Sequence, residues 1–219
     1  EMRDISIAQV VDDNRALKPR PLSRDNWKIN GCPVNGPRIA AQGPLVAAAW
    51  FTKANGTGHI KVRFSQDAAA TWGETYQVDA DDPVGRVDLL ALPNGQFVIS
   101  GDKDGIVNLW NFDGTFSGKS FSLQGEITGC GFNSQDQRIS ATSIEGDIST
   151  WTVTGNLLHE KNVNRAMGLQ WSNTLDILYV LEYSNEPRLI YLDGSTFNEL
   201  SSIYFIHKAL DFDLNQLSN

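Results

Sequence analysis

Three arginines, Arg38, Arg86 and Arg165, each open a segment whose residue types predict a β-strand. A guanidinium presents a planar fork of donors that matches a carboxylate. Three such forks gathered in one place would grip an acidic ligand. The other chemistry-bearing residues read differently. Asp67, Asp104 and Asp113 sit in turn sequences, where an aspartate closes the turn by accepting main-chain N–H bonds. His59, His159 and His207 have no metal-ligand spacing. No glycine-rich phosphate loop, HExxH helix or GxSxG elbow occurs. Asn55-Gly56-Thr57 matches a glycosylation acceptor, but Asn-Gly is equally a hairpin turn, and that reading is preferred here. The expectation is no catalytic residue, no metal and no cofactor, with the three arginines as the candidate ligand-binding set.

The elements that must position those arginines are strands. Gly101 to Thr115 reads turn, strand, turn: Asp104-Gly105 is a tight hairpin signal, and Asp113-Gly114 turns the chain again. Between them Ile106, Asn108 and Trp110 fall on one face, Val107 and Leu109 on the other. The same unit returns at Glu145-Gly146 to Trp151. Gly105 to Gly146 and Trp110 to Trp151 are both 41 positions. A looser copy has Tyr191 in the tryptophan place, 40 positions after Trp151. A period of about 40–45 residues with four short strands is the pattern of a β-propeller blade.

The fold class expected is all-β: a propeller of four-stranded antiparallel blades, in a single domain over residues 1–219. Innermost strands are predicted near 38–41, 86–92, 127–132, 166–171 and 208–214. That makes four whole blades, about five in total. The leftover strands, near 3–11 and 17–29 at the start and 208–214 at the end, would meet as one blade split between the termini. An open ring would leave unpaired sheet edges, so an incomplete ring would be completed by a second copy.

Two family resemblances accompany this pattern. Ser65-Gln66-Asp67-Ala68-Ala69-Ala70-Thr71-Trp72 resembles the Asp-box of sialidase-like (BNR-repeat) propellers, with Ala69 in place of the family's glycine. Thr71 and Trp72 are expected to start the next strand. Together with Trp27 and Gly31-Cys32-Pro33-Val34-Asn35-Gly36-Pro37, the likeness covers residues 1–100, the Asp-box-type blades being 1–85. Residues 86–200 are similar to WD40 repeats, although the strand ends Trp110-Asn111 rather than Trp-Asp; WD40-like blades would fill 86–219. The change of style also fits a recombined or engineered chimera without a selected function. Sialidases grip a carboxylate with clustered arginines and add a Tyr–Glu nucleophile pair and an aspartate acid. The resemblance therefore implies an acidic glycan at Arg38, Arg86 and Arg165. The repeat residues Asp67, Trp72, Asp104, Gly105, Trp110, Gly146 and Trp151 are expected to be structural.

Composition narrows the partner. Hydrophobic residues at 41% and charged residues at 20% suit a soluble protein with a real core. No apolar run approaches a membrane span, and no signal peptide is visible, so no membrane role is expected. The net charge is −8. It lies wholly in residues 100–219, since residues 1–99 are balanced. An acidic surface repels phosphates, which argues against nucleic acid. Two distant cysteines, Cys32 and Cys130, imply buried thiols rather than a disulfide framework. Repeats without a catalytic set point first to a non-enzymatic scaffold that binds a protein or peptide on one face. A sialidase-like glycoside hydrolase or acidic-sugar binder is the alternative.

Overall fold

The computed structural model describes residues 2–12, 15–29, 36–79, 87–92, 95–100, 104–111, 113–133 and 137–205. Every regular element in them is a β-strand. None of them forms a helix long and apolar enough to cross a membrane.

Sixteen of the strands form four antiparallel sheets, each a meander in chain order. The first sheet holds β5 (Arg38–Gln42), β6 (Leu45–Thr52), β7 (His59–Ser65) and β8 (Thr75–Gln77). The second holds β9 (Asp88–Ala91), β10 (Gln96–Ser100), β11 (Ile106–Asn111) and β12 (Phe116–Ser122). The third holds β13 (Ile127–Asn133), β14 (Arg138–Ser143), β15 (Asp147–Thr152) and β16 (Leu157–Asn162). The fourth holds β17 (Ala166–Trp171), β18 (Ile177–Glu182), β19 (Arg188–Asp193) and β20 (Glu199–Tyr204). The first strands are neighbours in sequence order: β5 beside β9, β9 beside β13, β13 beside β17. Four predicted first strands therefore fall where expected; the fifth, 208–214, lies outside the described residues.

Alternation along the strands explains the stacking. Val107 and Leu109 are fully buried and face the third sheet, with Ile127, Ile139, Ala141 and Trp151. On the other side of the second sheet, Leu89 and Val87 meet Ala47, Ala49, Ile60 and Val62 of the first, with Trp110 packed against them. Ile148 and Val163 meet Leu178, Val180, Ile190 and Leu192 of the fourth. The second and third sheets are thus apolar on both faces and sandwiched between neighbours. Fully burying one such aliphatic side chain contributes about 1.5–3 kcal/mol. Cys130 is one of the buried residues between the second and third sheets; Cys32 lies outside the described residues.

The last three sheets share a detail the first lacks. Between third and fourth strands the register slips at Leu109/Trp110, at Thr150/Trp151 and at Tyr191/Leu192. The extra residues, two in the second sheet and one in each of the other two, raise the local twist. The β7–β8 pair runs without a slip, and a longer loop joins it. Thr71 and Trp72 belong to that loop. The expectation that they start the next strand is corrected: β8 begins at Thr75. The reason is hydrogen bonding. Asp67 holds Thr71, and Arg63 takes the carbonyls of Trp72 and Gly73, so neither residue joins the ladder.

The leftover strands at the N-terminus are shorter than expected. They form β1 (Ser6–Ile7), β2 (Val10–Asp12), β3 (Arg15–Ala16) and β4 (Arg20–Pro21). β1 pairs with β4 and β2 with β3, and an isolated bridge joins Met2 to Lys28. Residues 2–28 are therefore one irregular hairpin rather than two continuous strands. Ile5, Ile7 and Leu22 of this hairpin pack on Ala48, Trp50 and Trp72. Asp25 fastens it, accepting from Trp50 Nε1 at 2.7 Å and Lys61 Nζ at 2.5 Å.

Candidate functional site

Arg38 is the first residue of β5 and Arg165 immediately precedes β17; both are exposed. Arg38 opens the first sheet, and Arg165 lies one residue ahead of the fourth. Arg86 lies outside the described residues. The Arg165 carbonyl accepts from Tyr183 N at 2.8 Å, a main-chain bond that leaves its side chain uncommitted to the ladder.

The Asp67 loop is built from its own polar groups. Asp67 accepts from Thr71 N at 2.8 Å, Thr71 Oγ1 at 2.6 Å and Ser65 Oγ at 2.8 Å. Hydrogen bonds from Thr71 and Ser65 lower its pKa to about 2. Ser65 Oγ also accepts from Ala69 N at 3.0 Å. From the hairpin side Arg20 donates to the carbonyls of Ala69 and Ala70, and Arg63 to those of Leu22, Trp72 and Gly73. The loop is thus tied to the N-terminal hairpin through Arg20 and to β7 of the first sheet through Arg63. Ala68 and Ala69 hold φ of 54° and 64°, the left-handed region that costs a side chain about 1–2 kcal/mol. Ala69→Gly is expected to raise stability by about 1 kcal/mol, read as a higher urea midpoint at unchanged slope. A lowered midpoint would show that the loop does not hold this conformation.

The turn aspartates Asp113 and Asp193 repeat the device. Each accepts from the hydroxyl and main-chain N–H of a nearby threonine, Thr115 and Thr196. Those bonds hold both carboxyls below their usual range. Asp104 is an exposed turn residue before Gly105, whose φ is 77°. Trp151 is buried with its ring 5.1 Å from Phe121, and Trp110 stacks at 5.6 Å on the half-exposed Phe116.

Sequence reasoning missed the ion-pair clusters around Arg138 and Arg188. Arg138, 6% exposed, reaches from the third sheet to Asp176 and to the Gly194 carbonyl of the fourth, with its guanidinium 4.9 Å from the Trp171 ring centre. Asn133 Nδ2 and Ser195 Oγ also donate to Asp176, at 3.1 and 2.8 Å. Beside it Trp171 Nε1 donates to Ser140 Oγ, which bonds Thr150 Oγ1. The second cluster lies within the fourth sheet. Buried Glu182 faces Arg188 across β18 and β19, with Arg188 Nε donating at 2.5 Å, and accepts from Asn164 N and Nδ2, both at 2.9 Å. Arg188 also pairs with Glu199 at 2.8 Å.

Burial alone would raise the Glu182 carboxyl. Bonds from Asn164 and Arg188 outweigh that and hold it below its usual value. A group depressed in the fold gives stability that is full above the unfolded value, about 4.5, and lost as pH falls through the folded value. Stability is therefore expected to fall on acidification below about pH 4.5. Glu182→Gln should flatten that limb and cost about 2 kcal/mol at pH 7, discounted for the partial exposure of Arg188. Urea titrations at pH 3, 4, 5 and 7 check it; an unchanged acid limb in the variant would be the contrary result.

Two adjoining clefts lie between the first and second sheets. One, of about 360 Å³, is lined by Asp67, Trp72, Tyr76 and Asp113 among others. The other, of about 490 Å³, is lined by Gln77, Asp79, Asn108, Trp110 and Phe116 among others. Asp67 and Trp72, expected only as turn residues, are thus brought beside Asp113 of the next sheet. Among the described residues no group of three or more His, Cys, Asp or Glu could hold a metal ion. No protein-family model matches this chain, and no curated protein matches it.

Proposed function

We propose that this chain is a β-propeller scaffold, without enzymatic activity, that binds a protein or peptide. Four consecutive four-stranded sheets with adjacent first strands support the propeller reading. The hairpin of residues 2–28 covers the outer face of the first sheet, as part of a further blade would. The observation that carries the non-enzymatic reading is the state of the carboxylates. Every described carboxylate with a perturbed pKa is lowered by hydrogen bonds from its own turn or neighbouring strand. A general acid needs the opposite, a carboxyl raised toward neutral pH. These groups serve the fold.

The test has two arms. The full chain panned against a displayed library of random dodecapeptides is expected to enrich sequences that bind saturably. Incubated with a fluorogenic sialoside it is expected to show no turnover. The triple variant Arg38→Ala, Arg86→Ala, Arg165→Ala should keep the same circular dichroism. Sialoside cleavage that the triple variant abolishes would replace this reading by the hydrolase one. The exposure of Arg38 and Arg165 beside the first strands of their sheets is what favours an acidic-sugar site as the second reading.

A further inference from the structure

The groove between the first two sheets has features that neither sheet needs for its own stability. Its floor and wall on one side are Trp110 and Phe116, and Phe116 is 48% exposed. Phe116 opens the largely exposed strand β12 and leaves a large ring half in water, a surface available for contact. The other wall is β8, the last strand of the first sheet. Among the described residues β8 is paired on one side alone, to β7. Val78 N donates inward to Ile60 O at 3.0 Å. The alternation of an antiparallel strand then turns the main-chain N–H and C=O of the exposed Gln77 to the open edge. An edge of this kind pairs readily with an extended segment.

Charge selects the segment. The exposed acids lining the two clefts are Asp67 and Asp113, with no lysine or arginine among the described lining residues, while the Asp79 carboxylate is buried against His59 Nδ1 and Ile60 N. Arg20 and Arg63, the cations nearest the Asp67 loop, approach it from the opposite, hairpin side, where Arg63 also binds the Leu22 carbonyl. Tyr76 Oη, donating to the Asp113 carbonyl at 3.2 Å, ties β8 to the turn between β11 and β12 and holds the two walls in place. An acidic groove with aromatic walls suits arginine or lysine side chains alternating with aromatic ones, since a cation gains from both carboxylate and ring.

We propose that this groove takes an extended peptide segment in which basic and aromatic residues alternate, added as a fifth strand to the open edge of β8. The proposal rests on the peptide-binding reading and narrows it to one place and one chemistry. Main-chain pairing to Gln77 supplies the register. Trp110 and Phe116 receive one face of the segment, and Asp67 and Asp113 receive its cations.

The probe is a fluorescein-labelled peptide of three Arg-Phe repeats, with a Glu-Phe peptide as its charge-inverted control, titrated by anisotropy into the full chain. The arginine peptide is expected to bind at least about tenfold tighter than the control. Gln77→Lys and Phe116→Ser, both at exposed positions, should each weaken it about fivefold or more while circular dichroism is unchanged. Ser201→Lys, on β20 of the fourth sheet, adds the same charge far from the groove and should leave binding as it was. Equal weakening by Ser201→Lys would mean diffuse attraction to an acidic protein and overturn the proposal. Unaltered binding in both groove variants, or no saturation by about 1 mM peptide, would overturn it too. The library experiment separates the two failures: enriched peptides that ignore Gln77→Lys sink the groove alone, and a library without enrichment sinks the peptide-binding reading with it.

Discussion

Gly146→Ala is expected to lower stability by about 4 kcal/mol, enough to unfold much of the population of a marginal domain at 37 °C. Gly146 holds φ of 95° in the turn between β14 and β15. An alanine there carries the conformational cost of a left-handed side chain, about 1–2 kcal/mol. The larger part comes from contact. A Cβ would overlap the Val163 carbonyl oxygen and lie 2.8 Å from its carbon. Val163 cannot retreat, because its N–H donates to the Gly146 carbonyl at 2.9 Å and its side chain is part of the core between the third and fourth sheets. Gly105, 41 positions earlier, repeats the arrangement with the Leu123 carbonyl, and Leu123 N donates to Gly105 O at 3.0 Å. Gly105→Ala should match Gly146→Ala within about 1 kcal/mol. Gly155 separates the two costs. Its φ is 107°, and a Cβ there would meet nothing within 4 Å. Gly155→Ala should therefore cost about 1 kcal/mol, from conformation alone. Urea unfolding of the three variants checks the series; equal losses at 146 and 155 would show that the carbonyl contact is not what matters.

Arg138→Ala is the second large effect, expected at about 3–5 kcal/mol. The guanidinium joins the third sheet to the fourth through Asp176 and the Gly194 carbonyl, and lies over Trp171. Its removal leaves the Asp176 carboxylate with only Asn133 and Ser195 as side-chain donors and opens a gap beside the Trp171 ring. Asp176→Ala should cost a similar amount, since a buried guanidinium is then without its carboxylate. The two losses should not add. The double variant Arg138→Met, Asp176→Asn is expected to lose about 2 kcal/mol less than the sum of the single changes. Additivity within about 0.5 kcal/mol would mean that the pair is not a unit. Because Arg138 is buried, the loss should hardly vary between 0.05 and 0.5 M salt.

How much of this was legible in the amino-acid order follows from the range of the interactions. Alternation placed Val107 and Leu109 on one face of a strand, and the structure buries both fully. Turn chemistry marked Gly56, Gly105 and Gly146, and all three have positive φ. The 41-residue spacing located the first strands of the second, third and fourth sheets. These are contacts between near neighbours, so composition over five to ten residues determines them.

The N-terminus shows where that reach ends. Residues 3–11 look like one strand, yet the hairpin is interrupted, because Asp4, Ser23 and Asp25 divert main-chain and side-chain donors into bonds across it and onto the first sheet. Thr71 and Trp72 read as the opening of a strand, but the bonds of Thr71 to Asp67 and of Arg63 on β7 to the Trp72 carbonyl keep them in the loop.

What the amino-acid order determined by itself was the β-class, the turns, the faces and the repeat. What the tertiary structure decided was which distant groups meet. Arg138 and Asp176 are 38 residues apart, and nothing local couples them. Asp67 and Asp113 come to one cleft because the first sheet packs on the second, bringing β8 against the β11–β12 hairpin. Periodicity specifies the face a side chain occupies. The partner across that face is chosen by how the sheets stack, and that is a property of the whole chain.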